Sequence, residues 1–246
     1  MVNVLSIKLI KNKLVEHYQH GMLKLLRVPV NYGVDCPDED SEFFAYISAL
    51  GGGLAEGDKY NQSFTLENAK AVINSQSSQK IYKGSSRVNT KINLKGNSSF
   101  VFHNDANIFY PNSNFTSKNT IFLDKDSKLF FLDGGFLGYA EGNFRANMYL
   151  RLYIDSKLVL NDVFCYESKE DLQSLYKHEY FYNVIMVADV EFETLHKPNI
   201  KAHASKINKV TIIRILSDSN DEAIRYINNI KNSFLTKSNM TLTSIR

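Results

Sequence analysis

Apolar and polar residues alternate in short runs along most of the chain, and tight turns about thirty residues apart break the runs. Leu5, Ile7 and Leu9 alternate with Ser6 and Lys8, with Ile10 the one imperfect position. Residues 22–30 form an apolar run that carries Lys24 and Arg27 and ends at Pro29, and residues 43–50 form another. Ile92 and Leu94 alternate with Lys91, Asn93 and Lys95, and Gly96-Asn97 then leads into Phe100-Val101-Phe102, a hairpin signal. A second hairpin is expected where Asp124 to Ser127 joins Ile121–Leu123 to Leu129–Leu132. A third is expected where Asp155-Ser156-Lys157 joins Leu150–Ile154 to Leu158–Leu160. The 16 Phe and 14 Tyr suit the half-buried faces of sheets, and only 4 Pro interrupt the ladders. Strands and tight turns at this spacing predict a mostly β sandwich, barrel or β-helix rather than βαβ units.

About two helices are expected. The clearer one is near the C-terminus: Asp218 or Ser219 caps it, Asp221 and Glu222 occupy its first turn, and Ala223, Ile224, Ile227 and Ile230 follow at helical spacing. Residues 166–180 predict a shorter one. With 246 residues the chain suits a single domain over 1–246, with a loose polar tail from about 237. A chain of this length buries roughly 70–75% of its unfolded surface and needs no disulfide or metal to fold. The 29 Lys and Arg against 26 Asp and Glu give a net charge of +3 and no basic stripe, which argues against nucleic acid as a partner. Cys36 and Cys165 are far apart, match no Cys-x-x-Cys motif, and read as thiols in a reducing compartment. No signal-peptide core is evident, and no window approaches the ~20 apolar residues of a membrane helix. A cytosolic protein is expected.

The sequence carries no P-loop, nucleophile elbow, His-Glu-x-x-His or kinase set. Its 6 histidines show no compelling metal spacing: His17 and His20 are three apart in a predicted strand or turn and so would not share a face, and His196 and His203 flank a loop at Pro198. Asp124-x-Asp126 lacks the glycine and glutamate of a calcium loop, and the acidic run from Asp35 to Glu42 reads as solvated. Three segments have more specific character. Ser48 to Tyr60 contains Gly51-Gly52-Gly53, then Gly57-Asp58; the glycines allow positive φ or close backbone approach. Asn74-Ser75-Gln76-Ser77-Ser78-Gln79-Lys80-Ile81-Tyr82-Lys83 follows a strand. Leu132 to Phe144 contains Asp133, Gly134, Gly135, Gly138, Glu141 and Gly142.

In their order and spacing these segments resemble the UreD family of urease accessory proteins, called UreH in some bacteria. Gly52 to Asp58 looks like the family's Gly-Gly-x-x-x-Gly-Asp segment, and Asn74 to Lys83 is similar to its Thr-Ser-Gln-Ser-Ala-x-Lys-Val-Tyr-Arg stretch. His103 to Tyr110 resembles a following segment through Ile108 and Tyr110, with His103-Asn104 in place of the usual Leu-Pro. Asp133 and Gly138-Tyr139 look like an acidic residue and a Gly-Arg turn, with Tyr139 where Arg is usual, and Glu141 to Phe144 lies two residues closer to the preceding glycine than in the family. Met22 to Pro29 and the strand Val210–Leu216 with its helix extend the likeness over roughly residues 5 to 236.

The resemblance implies a β-helix-like stack of strands with two helices, and a protein that is not an enzyme. It would hold apo-urease on one side and UreF on the other, with UreF recruiting the GTPase UreG. No cofactor would be bound permanently; nickel would pass through an internal tunnel, with Asp58 the leading carboxylate candidate and Asp133 and Glu141 behind it. Carboxylates hold such ions more loosely than His or Cys sites, which suits passage better than storage. Gly52, Gly53, Gly57, Ser75, Gln76, Ser77, Lys80, Tyr82 and Gly138 would serve structure or docking. The rival readings are a β-rich binding module, for example for carbohydrate, which needs an exposed aromatic platform such as Tyr176–Tyr182, and a glycosidase, which needs two carboxyls roughly 5–10 Å apart in a cleft.

Overall fold

The computed structural model describes residues 2–28, 42–140, 143–168 and 177–240. Strands dominate, and they are numbered in chain order. One sheet, A, has the order β14 (Lys157–Ser168), β13 (Asn143–Ile154), β11 (Ser113–Leu123), β8 (Gly84–Lys95), β5 (Lys59–Glu67), β1 (Val2–Ile10), β2 (Lys13–His20). The other, B, has the order β16 (Leu195–His196), β17 (Ile200–Ile207), β18 (Val210–Ser217), β15 (Tyr180–Val187), β12 (Lys128–Phe136), β9 (Ser99–His103), β6 (Lys70–Ser75), β4 (Phe43–Ala49), β3 (Leu23–Arg27). Through the middle of the molecule the chain alternates between the sheets, and strands there pair in parallel with those a full coil later, building a β-solenoid of about four turns. Short bridging strands β7 (Lys80–Ile81) and β10 (Asn107–Phe109) pair beside sheet B.

The register shows the coil length: Tyr60 pairs with Val88, Val88 with Ser117 and Ser117 with Met148, so equivalent positions recur 28 to 31 residues apart. This is the spacing of the turns in the sequence. It also corrects two of the three expected hairpins. β8 and β9 flank Gly96-Asn97 but belong to opposite sheets, as do β11 and β12 around Asp124–Ser127. Both turns are corners of the solenoid: the strand on each side finds its partner one coil away, because a whole apolar face is buried that way. The third hairpin forms, with β13 antiparallel to β14 and Asp155 and Ser156 both at positive φ, 48° and 63°.

Alternate residues point into the coil. Ile7, Phe64, Ile92, Ile121 and Leu152 stack in one row across sheet A and are all essentially inaccessible. Ala45, Ile73, Phe102, Phe131 and Ile185 do the same across sheet B. The outer face of sheet B is buried as well, under helix α1 (Asn220–Lys237). Its Ala223, Ile227, Ile230 and Phe234 cover Phe130, Leu132, Val184 and Ile213. Of the two candidate caps, Ser219 is the one used; its Oγ accepts the Glu222 N–H. The helix expected over 166–180 falls for the most part on 169–176, outside the described residues, while Tyr166 to Ser168 finish β14. Of the tail expected to be loose, Ser238 and Met240 are buried and 241–246 lie outside the described residues. Among the described residues no helix is long and apolar enough to cross a membrane.

Phe64 packs 5.8 Å from Phe100 and 5.3 Å from Phe102 across the coil. Phe64→Ala should cost about 3–5 kcal/mol in urea unfolding, the range for a buried aromatic with no collapse to fill the gap.

Candidate functional site

Toward the wide end of each coil the stacked rows turn polar. On sheet A the row next to the Phe64 row reads Leu5, Gln62, Thr90, Asn119, Leu150. Facing it on sheet B, Ile47 pairs with Ser75, Asn104 follows His103 on the next strand, and Asp133 pairs with Asn183, which pairs with Arg214. A cavity of about 390 Å³ opens at one end, lined among others by Gly52, Gly53, Ser75, Ser77, Gln79 and Lys80. It shares Gln62, Gln79 and Asn104 with an inner space of about 40 Å³ that reaches Asp133. That space shares Asn119 and Asp133 with a third, of about 20 Å³, which reaches Asp162 and Asn183. The three adjoin through these shared residues and form one narrowing track, mixed polar and apolar at its mouth and middle and mostly apolar at its innermost part, where Asn119, Asp133, Asp162 and Asn183 are the polar groups. The inner spaces have room for a file of a few waters.

Asp133 sits at the narrow part and is 7% exposed. Asn104, Asn107 and Asn119 each donate a side-chain N–H to it, at 3.3, 3.2 and 3.3 Å, and the Gly134 N–H donates at 2.9 Å. Burial pushes its carboxyl up to about 6, against the pull of these four bonds, which favour the anion. Ser117 Oγ, which lines the same space, is buried and has no hydrogen-bond partner among the described residues. At the far end Arg214 closes the row: it donates to both oxygens of Asp162, at 3.0 and 3.2 Å, and to Asn183 Oδ1 at 2.9 Å, and it lies 4.2 Å from the Phe164 ring centre.

The residues singled out in the sequence divide. Gly52, Gly53, Ser75, Ser77 and Lys80 come together at the mouth, and Asp133 lies inside. Tyr82 packs at a tilt against Tyr110 beside the mouth, and Gln76 donates its backbone N–H to the Ile47 carbonyl. Gly53 is required by close approach: a Cβ there would lie 2.5 Å from the Tyr82 ring and 2.8 Å from the Lys80 carbonyl. Gly57 is required by its φ of 81°. Gly138 packs against the Phe136 ring. Asp58, the leading tunnel candidate, sits in a corner turn, where its carboxylate accepts the Ala55 N–H at 3.0 Å, and it is not among the residues that line the track. Glu141 lies outside the described residues, as does Cys36, while Cys165 is an exposed free thiol. In the Tyr176–Tyr182 segment, Tyr182 is buried with its hydroxyl on Asn220 Oδ1, and Tyr180 stacks on Phe136. Among the described residues no three His, Cys, Asp or Glu side chains gather as a metal cluster.

Sequence reasoning missed Gln62, Thr90, Asn104 and Asn119. Their signal was a polar residue at an inward position of an otherwise apolar strand, recurring at the coil interval; nothing within any one strand reveals it.

A β-solenoid closed by antiparallel strands and threaded by a polar track is a scaffold of a particular class. The UreD urease accessory protein family matches residues 8–241. Curated UreD urease accessory proteins of Staphylococcus aureus strains RF122/ET3-1 and JH9 are each 36% identical over 126 residues, a match covering 48% of this chain and 45% of theirs. The matched segment thus spans under half the length of these relatives. The chain belongs to the UreD family of urease accessory proteins.

The Asp133 shift has a consequence for stability. A carboxyl whose folded pKa is raised binds protons more readily in the folded state, so its ionisation weakens the fold as pH rises from about 4 through about 6. Wild type should lose about 1–2 kcal/mol between pH 5 and pH 7.5 that Asp133→Asn does not lose. Paired urea titrations at the two pH values measure the difference.

Proposed function

We propose that this chain assists urease maturation by holding apo-urease and UreF while nickel, delivered by UreG, passes along the axial polar track. The observation that supports this best is the convergence of polar rows on one buried carboxylate inside a solenoid otherwise filled with Phe, Leu and Ile. Amide oxygens, hydroxyls and a single carboxylate are hard, loosely holding ligands for a divalent transition metal. An ion so held can leave again, which transit requires. Nickel is cargo in this reading, and Asp133, rather than Asp58, is the residue it would meet in the narrow part.

The glycosidase reading fits the geometry poorly. Asp133 and Asp162 line the same inner space, but it measures about 20 Å³, far below the room a sugar ring needs.

Co-expression of the chain with urease and the other accessory proteins tests the proposal. Omitting the chain should collapse urease activity and nickel content. Asp133→Asn should reduce nickel per urease roughly tenfold while the chain still co-purifies with UreF and apo-urease, and Asp58→Ala should leave nickel loading close to wild type. Urease that fills with nickel normally in the absence of the chain would remove the proposal.

A further inference from the structure

Beyond Arg214, which closes the inner part of the row, the same face of sheet B continues outward. Asp133 pairs with Asn183, Asn183 with Arg214, and Arg214 with His203, so the four positions share one face of sheet B. Here sheet B extends beyond the coil. On β17, Ile200 and Ala202 are buried on the helix side, while Lys201, His203 and Ser205 face out. The tight turn after β16 folds His196 back onto this same face, opposite Lys201, and the Lys197 N–H closes the turn on the Ile200 carbonyl at 2.9 Å. The His196 and His203 rings end 4.4 Å apart, inclined at 80°. Both residues are exposed.

We infer that His196 and His203 form a two-imidazole site for a divalent transition-metal ion at the outer end of the polar row. Two imidazole nitrogens bound to one ion at about 2.1 Å and at a right angle place the ring centres about 4.5 Å apart, and a tetrahedral angle places them about 5.2 Å apart. At 4.4 Å, in an edge-to-face contact, the two rings are close enough that a side-chain rotation brings a nitrogen of each onto one ion. Imidazole ligands suit Ni²⁺, Cu²⁺ and Zn²⁺ alike. Arg214 does not repel the ion at full strength, because both Asp162 carboxylate oxygens accept from its Nη2. Lys201 has an exposed position from which its flexible stem can carry the ammonium into water. Among the described residues no third His, Cys, Asp or Glu completes the set, so water or a partner protein fills the other positions. A site so open binds and releases readily. The binding site stands on this geometry alone; its use as a station where nickel joins or leaves the row rests on the transit reading.

Calorimetric titration of the full chain with NiCl₂ tests the site. Wild type and Asp133→Asn should each bind one equivalent that His196→Ala and His203→Ala each weaken by about tenfold or more, since either leaves a lone imidazole. Both histidines are exposed, so neither variant should disturb folding. With diamagnetic Zn²⁺, the imidazole resonances of His196 and His203 should shift together. Unchanged Ni²⁺ affinity in both variants, or movement of only one ring, overturns the site. If the variants lose the ion while urease still fills with nickel in their presence, the station role falls and the site remains.

Discussion

The structure depends on in-register parallel stacking. Each coil lays its strands on those of the coil before, so every inner strand has its backbone hydrogen bonds met on both sides. Side chains at equivalent positions then lie one above another. The corners hold this register through their own side chains. Asn12 Oδ1 accepts the Lys70 N–H, Asn68 Oδ1 that of Asn97, Asp124 Oδ2 that of Gly96 and Asp155 Oδ1 that of Lys125, each contact linking one layer to the next. The antiparallel strands β2 and β3 at one end and β14 to β18 at the other replace what would be two further coils.

Stacking also explains how a polar track can exist in such a core. A lone Asn or Gln inside an apolar coil would cost several kcal/mol if its hydrogen bonds were unmet. When the same position is polar in successive coils, as at Gln62, Thr90 and Asn119, neighbours along the axis meet that need. Asn104, Asn107 and Asn119 satisfy Asp133, and Thr90 reaches Gln62 at 3.5 Å. The polar positions are confined to the wide end of the coil, while the rows nearer the tight corner hold Leu66, Leu94 and Leu123. The stable part of the coil and the chemical part are thus separate stretches of the same strands.

This arrangement decides what could be read in the sequence. Alternation within strands made β1, β8 and β13 legible because period two is local, short apolar runs marked β4 and β11, and the C-terminal helix was legible from its cap and its isoleucines. Pairing is not local. Gly96-Asn97 and Asp124–Ser127 have the composition of hairpin turns, and only burial on the opposite sheet distinguishes a corner from a hairpin. The family motifs led to the mouth of the track, through Gly52, Gly53, Ser75 and Lys80, because these residues are close together in the chain. The inside of the track is formed perpendicular to the chain, by Gln62, Thr90 and Asn119, which lie in separate coils. Asp58 belongs to a motif yet serves its own turn.

The charges along the row are placed so that one carboxylate is set apart. Asp162 and Asp133 both line the inner spaces, and Asp162 is engaged by the Arg214 guanidinium. The bonds to Asp133 come from uncharged groups, three carboxamides and one backbone N–H. Uncharged donors orient a carboxylate without cancelling its charge, whereas a paired guanidinium cancels most of it. Burial raises the energy of that uncancelled charge, as the upward shift of its carboxyl shows. A cation arriving at Asp133 relieves this cost, and near Asp162 it would have to displace Arg214 first. The attraction within the track is therefore concentrated at Asp133, which lines both inner spaces.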